Sequence, residues 1–466
     1  MSNAPELVLR LGSHSEKDYF EKVIGFLDGF IFGANLLEAT PGATSSLVSR
    51  FSGAKVRIPY YLDPMTYAFG SYVDPTTGKA RTDLDWIKSD QKQHGKLVRT
   101  FKRSYRKLAV EFGQPFDEAL AQNRALAPSV FPAGNQTVQA CRGVLEYQIR
   151  RVRAEFESDD ETRALADTIP APSAVFAPYF YIEPSNAKEW TDANLRLARA
   201  STSLGLSVPV HAVLCADESF LLDSEFLARI QRELPQTGVG GVWLWFSKLD
   251  EDRVPENDRE MSTKLLALKM LVEHLSKHLH VYNMHGGYFS LALSKSGLRG
   301  ISHGVGYGEQ KDVVPVVGQT TPMVRYYLPD LHRMLGVPPI ERCFSALEIE
   351  TPPDFHSQVC GCAICRGVVN RDIEQFRLFG EMHRARADSS RDAQTPAAAK
   401  RCRYHFLMNR IAERKSVAGS TLTDLVQGLQ DAWDKWHPRL PFPAYCNHLQ
   451  TWQRVLTKQF PLGGLR

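Results

Sequence analysis

The sequence predicts a (β/α)8 barrel with a helical insertion and a zinc-binding C-terminal segment. Short β-branched or aromatic runs recur with helical patterns between them, the signature of βα units and a parallel sheet. Eight such runs can be counted, at residues 6–11, 29–33, 56–62, 174–182, 208–215, 240–246, 279–284 and 300–305. Beyond the last of them, Cys360, Cys362 and Cys365 crowd into six residues. An open doubly wound sheet would give much the same alternation, and in both folds ligands meet the carboxyl ends of the strands.

The first three runs fall within residues 1–70, the first part of the barrel. Residues 71–170 are too long for a barrel loop and largely helical in pattern, so a basic helical insertion is expected there. The barrel resumes over 171–335, with crossover helices read at 186–204, 219–234 and 259–278 from apolar residues at three- and four-residue steps. Residues 336–466 form the C-terminal segment. Within it we read a helical stretch at 370–386, a polar small-residue loop at 387–400, a helix from near Cys402 and an aromatic-rich tail over 433–452. No solenoid repeat is present.

Composition bounds the function classes. A chain of 466 residues with 43% hydrophobic content can bury a sizeable core. Its net charge is only +4, so any affinity for nucleic acid must come from local clusters of Lys and Arg. Eight cysteines show no even framework and no charged-then-apolar leader opens the chain, which predicts a cytoplasmic protein. The longest apolar runs, 208–215 and 239–246, fall far short of the ~20 residues that span a bilayer.

Three thiols this close cannot pair off as disulfides without leaving one over. Three thiolates and a fourth ligand satisfy the tetrahedral preference of Zn²⁺. His405 is the favoured fourth ligand, with Cys402 and His383 as rivals. Four protein ligands leave no open position for water, so the metal would be structural.

Two strand ends deliver carboxylates. Tyr60-Tyr61-Leu62-Asp63-Pro64 places Asp63 where barrel enzymes keep acids and bases, although Asp before Pro is also an ordinary turn start. Glu183 follows the aromatic run 178–182 and precedes Pro184, repeating the pattern. The last two runs end in His285-Gly286-Gly287 and in Ser302-His303-Gly304, with Glu309 further on. Glycines there would let a ligand approach the backbone. A phosphate loop is disfavoured, because no Gly-x-Gly-x-x-Gly opens a helix after the first strand and no Gly-Lys-Ser/Thr occurs. Residues 88–107 carry Lys88, Lys92, Lys96, Arg99, Lys102, Arg103, Arg106 and Lys107 against Asp90, with Phe101 and Tyr105 interleaved. Read as one helix, this stretch would attract phosphates along its length. Arg150, Arg151 and Arg153 add a second basic patch.

These residues resemble the tRNA-guanine transglycosylases and their DNA-modifying relatives. The Cys-x-Cys-x-x-Cys motif looks like that family's zinc motif, and the stretch through Arg371 and Gly380-Glu381-Met382 looks like the helix after it. Ile31-Phe32-Gly33-Ala34-Asn35-Leu36 with Pro41-Gly42 is similar to a family strand and turn. Tyr61-Leu62-Asp63 resembles the strand bearing its catalytic aspartate. The resemblance implies exchange of a guanine in nucleic acid for a 7-deazaguanine base, through attack of a carboxylate on the ribose C1′. It gives Asp63 an acid/base or nucleophile-supporting role and Glu183 a role in reading the base edge; His285, Gly286, Gly287 and His303 join Glu183 as candidate substrate-binding residues. The sequence departs from the family pattern in two places. Pro64-Met65-Thr66 replaces Ser-Gly-Gly, and Gly300-Ile301-Ser302-His303 lacks the aspartate of the nucleophile strand. Glu309 or Asp250 would then be the nucleophile. The expected partners are nucleic acid, DNA ahead of tRNA, contacted by Lys96, Arg99, Lys102, Arg103 and Arg106, and a 7-deazaguanine base; a homodimer is the candidate assembly. The competing expectation is a non-catalytic nucleic-acid-binding barrel that keeps its zinc.

Overall fold

The computed structural model describes residues 4–53, 56–74, 77–93, 96–158, 160–252, 259–306, 312–314, 323–384, 392–440 and 442–458. Eight strands close into a barrel: β1 (Glu6–Leu11), β2 (Gly29–Gly33), β3 (Tyr60–Asp63), β4 (Ala174–Phe176), β5 (Val210–Asp217), β6 (Gly241–Ser247), β7 (His280–Asn283) and β8 (Gly300–His303). Each pairs in parallel with its neighbours, and β8 returns to β1 with Glu6 opposite Gly300. All eight expected runs contribute a strand. The expected crossover helices lie at Ala187–Thr202, Ser224–Glu233 and Arg259–Leu275.

Alternation along each strand sorts its side chains. Val8, Ile31, Tyr61, Phe176, Val213, Trp243 and Tyr282 fill the interior, with Trp243 stacked on Tyr282 at 4.5 Å. Residues of the other parity, such as Leu7, Leu9, Phe30 and Leu244, pack against the surrounding helices. β4 is shorter than the run 174–182, since Pro178 has no N–H for the ladder. Pairing resumes only at the bridge between Ile182 and Ala216. Gln148, buried on the helix Asn135–Glu157, covers the short strand: it accepts from the Phe176 N–H at 2.7 Å and donates to the Phe176 carbonyl at 2.8 Å.

The chain between β3 and β4, expected to be largely helical, combines helices with short antiparallel strands. Residues 88–107, expected as one helix, form an antiparallel hairpin of Lys88–Gln93 and Lys96–Phe101, and then the start of a helix at Arg103–Phe112. Leu97, Arg99 and Phe101 alternate with Val98 and Thr100, a two-residue period that fits a ribbon.

The C-terminal segment also differs from expectation. Residues 370–386 hold a 3-10 helix, Ile373–Gly380, and a strand, Met382–Arg384, paired with Asp392–Gln394. The helix expected from near Cys402 begins at Pro396, within the expected loop, because Thr395 caps it by accepting the Ala398 N–H at 3.1 Å and Pro396 suits a first helical position. This helix, Pro396–Gly419, clamps the barrel. Arg414 donates to the Pro5 carbonyl at 2.8 Å and to Asp28 at 2.6 Å, and Phe406 packs on His303. Among the described residues no helix is long and apolar enough to cross a membrane.

Candidate functional site: metal centre and barrel mouth

Cys360, Cys362, Cys365 and His405 converge with their donor atoms within 4.8 Å of one another. The sulfurs of Cys362 and Cys365 each lie 3.3 Å from His405 Nδ1, and that of Cys360 lies at 4.0 Å. The geometry around the cluster orients every donor. His405 Nε2 donates to the Tyr327 carbonyl at 2.6 Å, which leaves Nδ1 as the lone-pair donor facing the thiols. The N–H groups of Cys362 and Cys365 point at the sulfurs of Cys360 and Cys362, both at 3.4 Å, and Tyr326 Oη lies 3.2 Å from the Cys365 sulfur. Tyr326 also stacks on the His405 ring at 4.1 Å. The cluster is a Cys3His set whose donor atoms lie close enough together to hold a metal ion. Cys402 is excluded as a ligand, since its buried thiol donates to the Phe379 carbonyl at 3.3 Å, and His383 is exposed on the strand Met382–Arg384.

At the carboxyl end of β3, Asp63 stands where expected but is closed off. Its side chain is 0% exposed and accepts from Arg10 of β1 at 2.5 Å, from Tyr179 Oη at 2.8 Å and from the Met65 N–H at 2.9 Å. Met65 follows the strand end and covers this carboxylate. It adopts φ 55°, turning its side chain over Gly33, where an added Cβ would lie 2.5 Å from the sulfur. Met65, Tyr67 and Tyr179 therefore cover Asp63.

A second set of groups lies at the rim. Asp217, the last residue of β5, accepts from Lys248 at 2.9 Å, from Tyr181 Oη at 3.0 Å and from the Ser219 hydroxyl at 2.7 Å. Glu183 accepts the Val73 N–H through both oxygens, at 3.0 and 2.9 Å, which ties the insertion to the rim. Burial raises the Glu183 carboxyl above its usual range, only partly offset by the Val73 N–H and Lys248. Burial also pushes Asp217 up, but the bonds from Lys248 and Ser219 outweigh it and hold that carboxyl below its usual range. The two carboxyls sense each other and share Lys248, so the rim holds a pair with opposed proton affinities. Aromatic rings line the approach. Trp245 meets Tyr67 at 5.2 Å, and Trp86 reaches Tyr67 at 6.3 Å and Tyr72 at 5.2 Å. Trp86 Nε1 is buried without an acceptor among the described residues.

The other expected site residues divide. The His285 ring lies 4.8 Å from Trp245, beside the interior. Gly286 and Gly287 serve the protein's own packing: a Cβ on Gly286 would meet Ser290 at 2.7 Å, and the Gly287 N–H donates to buried Glu251 at 3.1 Å. His303 has the outward parity. Its ring packs on Phe406 at 5.1 Å, Nδ1 bonds the Gly304 carbonyl, and burial, with Arg410 nearby, pushes its pKa down to about 3. It is a neutral packing histidine and does not reach the rim. Asp250 is half-buried in the loop after β6, and Glu309 lies outside the described residues. Asp217 was not anticipated, although it follows the strand-then-carboxylate pattern of Asp63 and Glu183.

The basic residues also divide. Arg150 pairs with Glu111, Arg151 with Glu38 and Glu155, and Arg153 with Glu157 and Asp167, so the second basic patch is neutralised. Tyr105 is buried against Phe69, and Phe101 lies under Lys88, which leaves neither ring as a stacking platform. Arg99 pairs loosely with Asp90 at 3.8 Å, and Lys96 opens the second hairpin strand. Arg103 and Arg106 line a cavity of about 470 Å³ with Lys107, Arg151, Glu38 and Glu111. They occupy the first turn of the helix Arg103–Phe112, which contains no acid there. Cations at a helix N-terminus oppose its dipole, so this end favours an incoming anion.

Fold and site together define a closed parallel (β/α)8 barrel carrying a Cys3His cluster with its donors at metal-binding separations. No protein-family model and no curated protein matches the chain.

Proposed function

We propose that this protein is a transglycosylase of the tRNA-guanine transglycosylase superfamily, exchanging guanine in nucleic acid for a 7-deazaguanine base, with DNA favoured over tRNA. The observation that carries the reading is the rim pair. A carboxylate held low and a carboxyl held high side by side suit a nucleophile and a general acid. Asp217 attacks C1′, the C1′–N9 bond breaks with its electron pair going to guanine, and Glu183 supplies the proton to the departing base. The incoming base returns a proton to Glu183 as its nitrogen attacks C1′ and displaces Asp217. Trp86, only partly buried beside Tyr67 and Tyr72, offers a ring face for the base, and Glu183 keeps acceptor capacity for its N–H donors.

The metal is assigned as Zn²⁺. With Zn–S of about 2.3 Å and Zn–N of about 2.0–2.1 Å, a tetrahedral ion sets S···N separations of about 3.6 Å, which fits the observed 3.3 to 4.0 Å. Its role is to hold the C-terminal segment.

Labelled 7-deazaguanine incubated with the protein and DNA or tRNA tests the reading. Incorporation is expected, and Asp217→Asn and Glu183→Gln are each expected to reduce it by at least about a hundredfold. The rate should rise as pH climbs through the depressed Asp217 value and fall as it passes the raised Glu183 value, giving a bell-shaped profile. A flat profile with unaffected variants sinks the assignment. Arg103→Ala and Arg106→Ala should weaken binding to all sequences alike and lower the slope of log affinity against log salt by about 0.9 each; unchanged slopes would remove them from the interface.

The buried Arg10–Asp63 pair favours a second reading, a non-catalytic nucleic-acid-binding barrel. Binding without incorporation on either polymer selects it.

A further inference from the structure

The hairpin Lys88–Gln93/Lys96–Phe101 exposes apolar side chains that no structural role requires. Leu97 is 72% exposed and Val98 39% exposed, on a strand that also carries Lys96 and Arg99. Lys92 faces Leu97 across the ribbon, and Asp90 faces Arg99. Ribbons of this size fit a nucleic-acid groove, and apolar side chains inserted between base steps unstack and kink a duplex.

We propose that Leu97 is a wedge that enters a nucleic-acid duplex and opens the base step beside the guanine to be exchanged. The inference rests on the nucleic-acid reading above and deepens it, since a base must leave the stack before it can enter a barrel mouth. Three observations bind the wedge to that task. The ribbon continues without a break into Lys102, Arg103 and Arg106, so phosphate contacts would hold the duplex against it. No ion pair involving Lys92, Lys102, Arg103 or Arg106 is present among the described residues, which leaves charge for an anionic partner. Immediately before the ribbon, partly buried Trp86 packs on Tyr67 and Tyr72, so the ribbon is rooted beside the barrel mouth and an extruded base meets a ring on its way there.

The test uses the full chain with a short DNA duplex carrying 2-aminopurine beside a guanine, and a single strand of the same sequence. The wild type should raise 2-aminopurine fluorescence in the duplex. Leu97→Ala and Leu97→Ser should lower that rise about tenfold, since they remove the inserted group but keep the cations. Duplex affinity should change by less than about threefold because phosphate contacts dominate it. Leu97→Phe should restore opening, and single-strand binding should be the same in all variants. Duplex opening by Leu97→Ala equal to wild type overturns the wedge while leaving the nucleic-acid reading intact. Absence of binding to duplex, single strand and tRNA overturns both. Leu97-dependent binding to anionic lipid vesicles, with no duplex opening, would reassign the patch to a membrane surface and also overturns the wedge.

Discussion

Stripping the metal with a strong chelator, or replacing Cys365 by Ser, is expected to undo the C-terminal segment. Binding energy at a structural zinc site is folding energy, with apparent values of about 10 kcal/mol or more at neutral pH. The dependence is strong here because the elements around the cluster are short. Cys362 caps the six-residue helix Ala363–Val368, and the preceding helix, Pro352–Gln358, has seven residues. The long helix Pro396–Gly419 brings His405 to the three thiols and Arg414 to the barrel, so its register is fixed at two points. Elemental analysis should find one zinc per chain. Thermal unfolding should shift strongly downward with chelator, and limited proteolysis should then cut residues 336–466 before the barrel. Unchanged unfolding and proteolysis after verified metal removal would contradict the assignment.

Arg10→Met is expected to destabilise the barrel by about 3–5 kcal/mol, the cost of leaving a buried charge without its partner. Asp63 would keep Tyr179 Oη and the Met65 N–H but lose the guanidinium, with no route to solvent. The double replacement Arg10→Met with Asp63→Leu should recover much of the loss, since apolar packing often equals a buried pair. Chemical denaturation measures both effects. An Arg10→Met chain as stable as wild type would mean that the pair does not hold the interior.

Much of the architecture was legible because strands and crossover helices have different periods. The eight runs and the crossover helices needed only local patterning. Residues 88–107 misled because their charges are nearly continuous and mask a two-residue alternation that Leu97, Arg99 and Phe101 do carry. His303 shows how one position decides a role: Ser302 has the inward parity, and its neighbour faces the C-terminal helix. The Cys3His cluster could be read from spacing and donor chemistry, and His405 prevailed over Cys402 because the Cys402 thiol is turned to the Phe379 carbonyl while His405 Nδ1 meets the three sulfurs.

The rim was less legible. Asp63 pairs with Arg10 across 53 positions, and nothing local announces that an arginine on β1 points inward. Lys248 reaches Asp217 from beyond β6, so the opposed proton affinities of Asp217 and Glu183 exist only once the barrel is closed. The strand-then-carboxylate pattern does mark Asp217, and it could have been found by extending the fifth run by two residues.

The most direct measurement of the central claim is a denaturing gel of the protein incubated with labelled DNA in the absence of an incoming base. Attack by Asp217 on C1′ releases guanine and leaves an ester bond that survives denaturation. The account predicts a slow-migrating adduct and free guanine in equal amounts, both lost in Asp217→Asn and both retained in Asp250→Asn. No adduct and no released guanine, with DNA or with tRNA, would contradict it.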